Sequence, residues 1–200
     1  MADLRKNAFK VYDKISEWFL ENRSVSLMER KYLDYIKKSI PANASILDIG
    51  CGTGLPIFKY FYDQGYNIEG LDASKSMLNI AIENFPDSIF YLQDMRNISL
   101  DKKYNALIAW HSFFHLPSED QKPLFKKFKD LLHAKGLLMF TSGPEDNEVW
   151  SNLDGQDLFH ASLSSEEYKK LLEEANFEVL LHQINDPECG NATIWIAQLK

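Results

Sequence analysis

The residues most able to do chemistry form a short run at positions 46–54, Ile-Leu-Asp-Ile-Gly-Cys-Gly-Thr-Gly. An apolar stretch runs into Gly50, Gly52 and Gly54, and a helical pattern follows. Glycine admits positive φ and lets a ligand approach the backbone. A helix start just beyond offers free N–H groups and the positive end of a dipole. The run therefore suits a ligand that carries a carboxylate. A dinucleotide-binding turn needs Gly-x-Gly-x-x-Gly, and the third glycine position, counted from Gly50, is Leu55. A phosphate loop of the Gly-Lys-Ser/Thr type is absent as well.

Two acids lie at matching places downstream. Asp72 ends the next β-prone stretch, Gly70-Leu71-Asp72, 22 residues after Gly50. A carboxylate there presents two acceptors to two hydroxyl donors and repels a phosphate. Asp94 follows a third short strand in Gln93-Asp94-Met95. A fourth candidate cluster is Trp110-His111-Ser112-Phe113-Phe114-His115, which leaves a buried strand. His111 there can take a proton from a hydroxyl or amine. The four-residue spacing of His111 and His115 also suits a helical zinc pair, but the Glu of His-Glu-x-x-His is missing and Pro117 interrupts a helix. No metal is expected.

These residues need strands and helices to position them. Apolar spacing predicts helices over 4–22 and 26–38, the second stopped by Pro41. Strands are expected at 45–49, 67–71, 89–92, 104–110 and 137–141. Between them fall helices at 55–64, 74–84 and 118–133, with Ser74 as an N-cap, Ser118 and Gln121 as a capping box, and Gly136 as the stop of the last. Such alternation predicts right-handed crossovers and a mostly parallel sheet covered on both faces. Residues 142–163 break the rhythm and read as an insertion after the fifth strand. A helix at 164–175 and two strands at 177–184 and 193–199 complete the chain, and the short connection makes that last pair antiparallel.

The run LDIGCGTG, with an acid at the end of the next strand, closely resembles the class I S-adenosylmethionine (SAM)-dependent methyltransferases. The resemblance covers residues 40–200. It implies an α/β, three-layer Rossmann-like sandwich with a seven-stranded sheet of order 3-2-1-4-5-7-6 and an antiparallel last strand. It implies SAM as cofactor and in-line transfer of its methyl group to an acceptor. Gly50, Cys51, Gly52 and Gly54 would then wrap the methionine part, and Asp48 would support the turn by hydrogen bonds. Asp72 would bind the ribose hydroxyls, and Asp94 would accept from the adenine amino group. Leu71, Ala73 and Met95 would pack on the adenosine, and Trp110 would begin the loop beneath the methyl group.

The acceptor side is less defined. His111 is a candidate base, and His115, which sits where the family often has histidine before Leu-Pro, is a candidate acceptor contact. The N-terminal helices, residues 1–40, resemble a cap over the cofactor, in which Tyr12, a candidate catalytic residue, and Trp18, a candidate acceptor contact, would close the site and turn π-faces to the sulfonium. Trp150 and His160 in the 142–163 insertion would contact the acceptor. A SAM-binding protein without methyl transfer and a nicotinamide-dependent oxidoreductase remain as alternatives at this point.

Composition frames the rest. The 200 residues make one domain, 45% hydrophobic, which is ordinary for a globular core. The net charge of -7 disfavours nucleic acid and suits a small-molecule acceptor. Two cysteines without a Cys-x-x-Cys pair fit a reducing compartment. Residues 1–9 carry charges unlike a signal peptide, and no stretch is long and apolar enough to span a membrane. A cytoplasmic location is the expectation. The sequence carries no signal of oligomeric state.

Overall fold

The computed structural model describes residues 4–24 and 26–200. Residues 1–3 and 25 belong to the expected N-terminal cap and lie outside the described residues. A seven-stranded sheet is built from β1 (Ser45–Ile49), β2 (Asn67–Asp72), β3 (Phe90–Leu92), β4 (Tyr104–Ala109), β5 (Leu132–Ser142), β8 (Phe177–Asp186) and β9 (Ala192–Leu199), with β6 (Asn147–Leu153) and β7 (Gln156–Ser162) forming a separate hairpin. The order is β3-β2-β1-β4-β5-β9-β8. Counted within the sheet this is 3-2-1-4-5-7-6, as the resemblance implied. Strands β3 to β5 pair in parallel, whereas β9 runs antiparallel to both β5 and β8.

Both faces of the sheet are covered, and the central strands accordingly read as nearly continuous apolar runs. On β1, Leu47 and Ile49 join one core with Phe113, Phe125, Phe128, Phe140, Tyr168 and Trp195. Ile46 points the other way into a second core with Leu33, Ile36, Phe58, Phe61 and Ile108. The helices supplying these side chains are α2 (Arg30–Ser39) and α3 (Ile57–Tyr62) on one face, and α6 (Leu124–Asp130) and α7 (Ser165–Glu174) on the other, with the short α5 (Ser118–Gln121) leading into α6. Two further helices, α1 (Phe9–Asn22) and α4 (Lys75–Asn84), meet at the rim of the sheet. Ser74 caps α4 by accepting from Met77 N at 3.2 Å, and Ser164 caps α7 by accepting from Glu167 N at 3.1 Å.

Three local expectations are corrected. The helix expected over 118–133 is broken into α5 and α6, because Pro123 supplies no N–H and blocks continuation. It ends at Asp130 rather than at Gly136: Leu132 already pairs with Tyr104, and a bulge containing Lys135 at φ 63° precedes Leu137. The capping box is not formed. Gln121 is buried and donates to the carbonyls of Leu116 (2.8 Å) and Ala161 (2.9 Å), while the Tyr168 hydroxyl donates to it at 2.6 Å. Residues 147–162 fold as a regular hairpin that turns at Asp154-Gly155, both with positive φ (48° and 73°).

Candidate functional site

The order reverses between β1 and β4, and a crevice opens there at the carboxyl ends of the strands, where open α/β sheets bind ligands. The chain builds a cavity of about 140 Å³ at that edge. The glycine turn forms its floor. Gly50 and Cys51 both donate from N to Leu71 O, at 2.6 and 3.1 Å, which ties the end of β1 to the end of β2. Ser112, on the loop after β4, donates to Ile49 O at 2.6 Å.

The three glycines differ in what they permit. Gly50 has φ +75°, and a Cβ there would lie 2.2 Å from Ser112 Cβ. Gly52 has φ +55°, and its Cβ would meet no atom within 4 Å. It faces open space on the cavity side. Gly54 corrects an expectation: it does not line the cavity, and its missing Cβ makes room for the Phe85 ring, 2.7 Å away.

Asp72 joins the turn to the crevice. Its Oδ2 accepts from Gly52 N at 2.9 Å and its Oδ1 from Ser74 N at 2.8 Å. Each oxygen keeps a lone pair for a further donor. Burial raises its pKa, and the backbone donors pull against that. Asp48 also lines the cavity, but it makes no side-chain hydrogen bond among the described residues. The expectation that it braces the turn is therefore corrected; backbone N–H groups and Ser112 do that. Burial, and then the neighbouring Asp72 charge, push its carboxyl up to about 8.

Cys51, Leu71, Ala73, Asp94, Met95 and Trp110 all line the same cavity. Asp94 is bracketed by Arg96, whose Nε lies 3.0 Å from each carboxylate oxygen. Arg96 also donates to Asp120 at 3.1 Å and to Lys6 O at 2.7 Å, so it ties the chain before α1 to this wall. Sequence reading did not nominate Arg96; its position two residues after the acid was the available signal.

Helix α1 closes the cavity. Asp13 Oδ1 accepts from Ser74 Oγ at 2.7 Å and Ser76 N at 3.1 Å, which fixes α1 to the start of α4. Tyr12, Phe19 and Arg23 face the cavity. Trp18 does not, which corrects its nomination. Seven residues bring a helix back to within about 20° of the same face, whereas six leave it about 120° away. Phe19, not Trp18, is thus the partner of Tyr12, and their rings meet edge-on at 5.6 Å. Arg23 makes no ion pair among the described residues, so its guanidinium is available to a ligand.

The histidines divide the expected roles. His115 Nδ1 lies 3.1 Å from Phe159 O and its Nε2 lies 2.9 Å from the Tyr12 hydroxyl. A carbonyl only accepts, so Nδ1 carries the hydrogen and the Tyr12 hydroxyl donates to Nε2. Burial lowers the His115 pKa to about 3 and holds the ring neutral. His115 lines the cavity, but both of its nitrogens are engaged. His111 has left-handed backbone, φ 49°, held by its N–H donating to Thr141 Oγ1 at 2.8 Å. Burial lowers its pKa to about 4, so it stands at the cavity as a neutral imidazole at pH 7.

Trp150 and His160 are not at the cavity, which corrects their nomination. Trp150 is half exposed on β6 and packs against Phe159. His160 bonds Ser151 at 2.7 Å and its ring lies 4.8 Å from that of His115. The hairpin supports the wall from behind.

Tyr12→Phe isolates the hydroxyl. It leaves the buried His115 Nε2 without a donor, a loss of about 1–3 kcal/mol. The melting temperature is expected to fall by roughly 2–10 °C, while the retained ring keeps cofactor affinity within about threefold. An unchanged melting temperature would show that the bond contributes nothing.

A methyltransferase-domain family model matches residues 19–182, and the chain belongs to that family. Among curated relatives, an N,N-dimethyltransferase of dTDP-3-amino-3,6-dideoxy-alpha-D-glucopyranose from Streptomyces fradiae is 35% identical over 77 residues, 38% of this chain and 30% of that one. The matches to three of the curated relatives span between 30% and 47% of their lengths. Among solved structures, SAM-bound CalS10, an amino pentose methyltransferase from Micromonospora echinaspora, superposes with a TM-score of 0.74 at 17% identity, covering 95% of this chain and 97% of that one. The CcbJ methyltransferase from Streptomyces caelestis gives 0.77 at 13% identity, covering 98% of each. At these identities the structures establish the shared fold.

Proposed function

We propose that the chain is a SAM-dependent methyltransferase acting on a small-molecule acceptor. One observation carries this reading: Gly52, open to the cavity, donates to an Asp72 carboxylate that keeps two acceptor positions free at the end of β2. The rest of the cavity fits SAM. Leu71, Ala73 and Met95 receive the adenosine beside Asp94, and Asp72 takes the ribose hydroxyls. The unpaired Arg23 receives the α-carboxylate, and Asp48 the ammonium. Bound SAM supplies a methyl group made electrophilic by its sulfonium. Tyr12 and Phe19 exclude water from above, and alignment with water exclusion supplies several kcal/mol of catalysis. His111, neutral and at the cavity wall, accepts a proton or hydrogen bond from the acceptor's attacking group.

The relative from Streptomyces fradiae and CalS10 both act on amino sugars by their names, which supports a sugar-sized, amine-bearing acceptor. The acidic chain supports the same choice over nucleic acid. Both cysteines are free and buried, which supports a reducing, cytoplasmic setting. Burial pushes the Cys189 thiol up to about 12, so it is no nucleophile. Among the described residues no helix is long and apolar enough to cross a membrane.

The test is calorimetric titration with S-adenosylhomocysteine (SAH) at pH 7 in two buffers of different ionisation enthalpy. Asp48 at about 8 is largely protonated in the free protein at that pH. An ammonium placed beside it favours the carboxylate, so binding releases on the order of one proton. Affinity then rises with pH and levels off above 8. Binding without proton release would contradict the placement of the ammonium, and no binding would contradict the function. Release of SAH from SAM in the presence of dTDP-amino sugars separates a transferase from a SAM binder.

A further inference from the structure

Glu29 is the residue just before α2, and its carbonyl accepts from Tyr32 N at 2.9 Å and Leu33 N at 3.2 Å. The start of the helix thus fixes where its side chain can go. That side chain turns inward: the residue is 2% exposed, and Oε1 has no hydrogen-bond partner among the described residues. It lines a small chamber of about 40 Å³. Arg23, Trp110 and His111 line both this chamber and the main cavity, so the chamber is a side pocket of the site. A chamber of this size holds a small polar group such as an amine with a water or two, one water needing about 10–15 Å³ of such space, and not a whole acceptor.

A buried carboxylate oxygen with no donor costs more than almost any other polar defect. Burial raises the Glu29 pKa, and its own backbone N–H and then Arg23 only partly offset this. The charges around the site narrow what the missing donor is. Asp94 is paired with Arg96, which leaves three carboxylates, Asp48, Asp72 and Glu29, with Arg23 and Lys6 as the other charged groups lining the cavity and its side chamber. On the reading above, SAM engages Arg23 through its carboxylate, Asp48 through its ammonium and Asp72 through its ribose. Glu29 alone is left over, and it shares the side chamber with Trp110 and the candidate base His111.

We infer that Glu29 is an acceptor-recognition residue whose Oε1 receives an N–H donor from an amine held in the side chamber next to His111. The substrate class is therefore an amine small enough to place its nitrogen behind Trp110. A hydroxyl acceptor donates only one hydrogen and brings no positive charge, so it satisfies this acid-rich chamber less well. The inference rests on the SAM reading for its charge accounting, and the experiment separates the two.

The Trp110 indole signal is followed by NMR during titration with methylammonium, ethanolamine and 3-amino-3-deoxyglucose. Methanol, ethylene glycol and glucose serve as hydroxyl controls. Each titration is run with and without saturating SAH. The expected result is a saturable Trp110 shift with at least one amine and at least tenfold weaker response to its hydroxyl counterpart. In Glu29→Gln, which keeps the shape but removes the negative charge and replaces one acceptor oxygen with an N–H donor, amine affinity falls at least tenfold while SAH affinity stays within twofold. Equal response to amines and alcohols, or none to any amine, overturns the inference. An SAH affinity that falls as much as the amine's assigns Glu29 to the cofactor and overturns it too. Failure of SAH to bind the native protein overturns the SAM reading, and the amine titration without SAH still decides the role of Glu29. Should the variant not fold, a crystal of the native protein with ethanolamine decides: nitrogen within hydrogen-bond distance of Glu29 supports the inference, and nitrogen elsewhere overturns it.

Discussion

Replacing Asp72 with alanine is expected to reduce affinity for SAH by roughly 100- to 1000-fold. The carboxylate does two things at once. Toward the protein it accepts from Gly52 N and Ser74 N, at 2.9 and 2.8 Å, and so holds the glycine turn against the start of α4. Toward the ligand it keeps two acceptor positions for two hydroxyls. Hydrogen bonds to a charged group are each worth about 1.5–3 kcal/mol, and two of them lost correspond to a factor of roughly 100 or more. Asp72→Asn is expected to be milder, since the amide oxygen still accepts one hydroxyl. Circular dichroism would establish that the fold survives, and calorimetry would read the affinity. Retention of affinity within threefold in the alanine variant would place the ribose elsewhere.

Gly50→Ala and Gly52→Ala are expected to fail in different ways. Both positions have left-handed backbone, which costs a non-glycine residue about 1–2 kcal/mol. At Gly50 the added Cβ would also sit 2.2 Å from Ser112 Cβ, and Ser112 is anchored to Ile49 O. The β4 loop would have to move, taking His111 with it. A melting temperature lower by roughly 10 °C is expected, with loss of binding as a consequence. At Gly52 the methyl meets no protein atom, so the melting temperature falls by only about 2–6 °C. SAH affinity nevertheless drops at least tenfold, because the methyl occupies ligand space. Equal melting temperatures for the two variants would show that the clash at Gly50 is relieved without cost.

Much of this was legible in the sequence because it rests on local chemistry. The turn at Gly50 and Gly52, the acid at Asp72, the N-cap Ser74 and the antiparallel final strands are each set by residues a few positions apart. What sequence reading missed depends on which face a residue takes or on what lies across the fold. Trp18 and Phe19 are neighbours in the chain, yet only Phe19 shares the face of Tyr12. Asp154-Gly155 is a strong hairpin signal, and alternation around it would have found β6 and β7. No local pattern, however, tells that Trp150 points away from the cavity. Arg23, Glu29 and Arg96 are ordinary charged residues in sequence. They matter because, among the described residues, the fold buries Glu29 with Oε1 unbonded, leaves Arg23 without an ion pair and wraps Arg96 around Asp94. His115 shows the same limit in reverse. Its position suggested substrate contact, but its two nitrogens bind Tyr12 and the backbone of a hairpin 44 residues away.

The central claim is that the crevice between β1 and β4 is a SAM site, and a crystal structure grown with SAH tests it most directly. The ribose hydroxyls are predicted on the two oxygens of Asp72, the α-carboxylate on Arg23 and the adenine between Leu71 and Met95. SAH bound elsewhere, or NAD filling the crevice in crystals that exclude SAH, would contradict it.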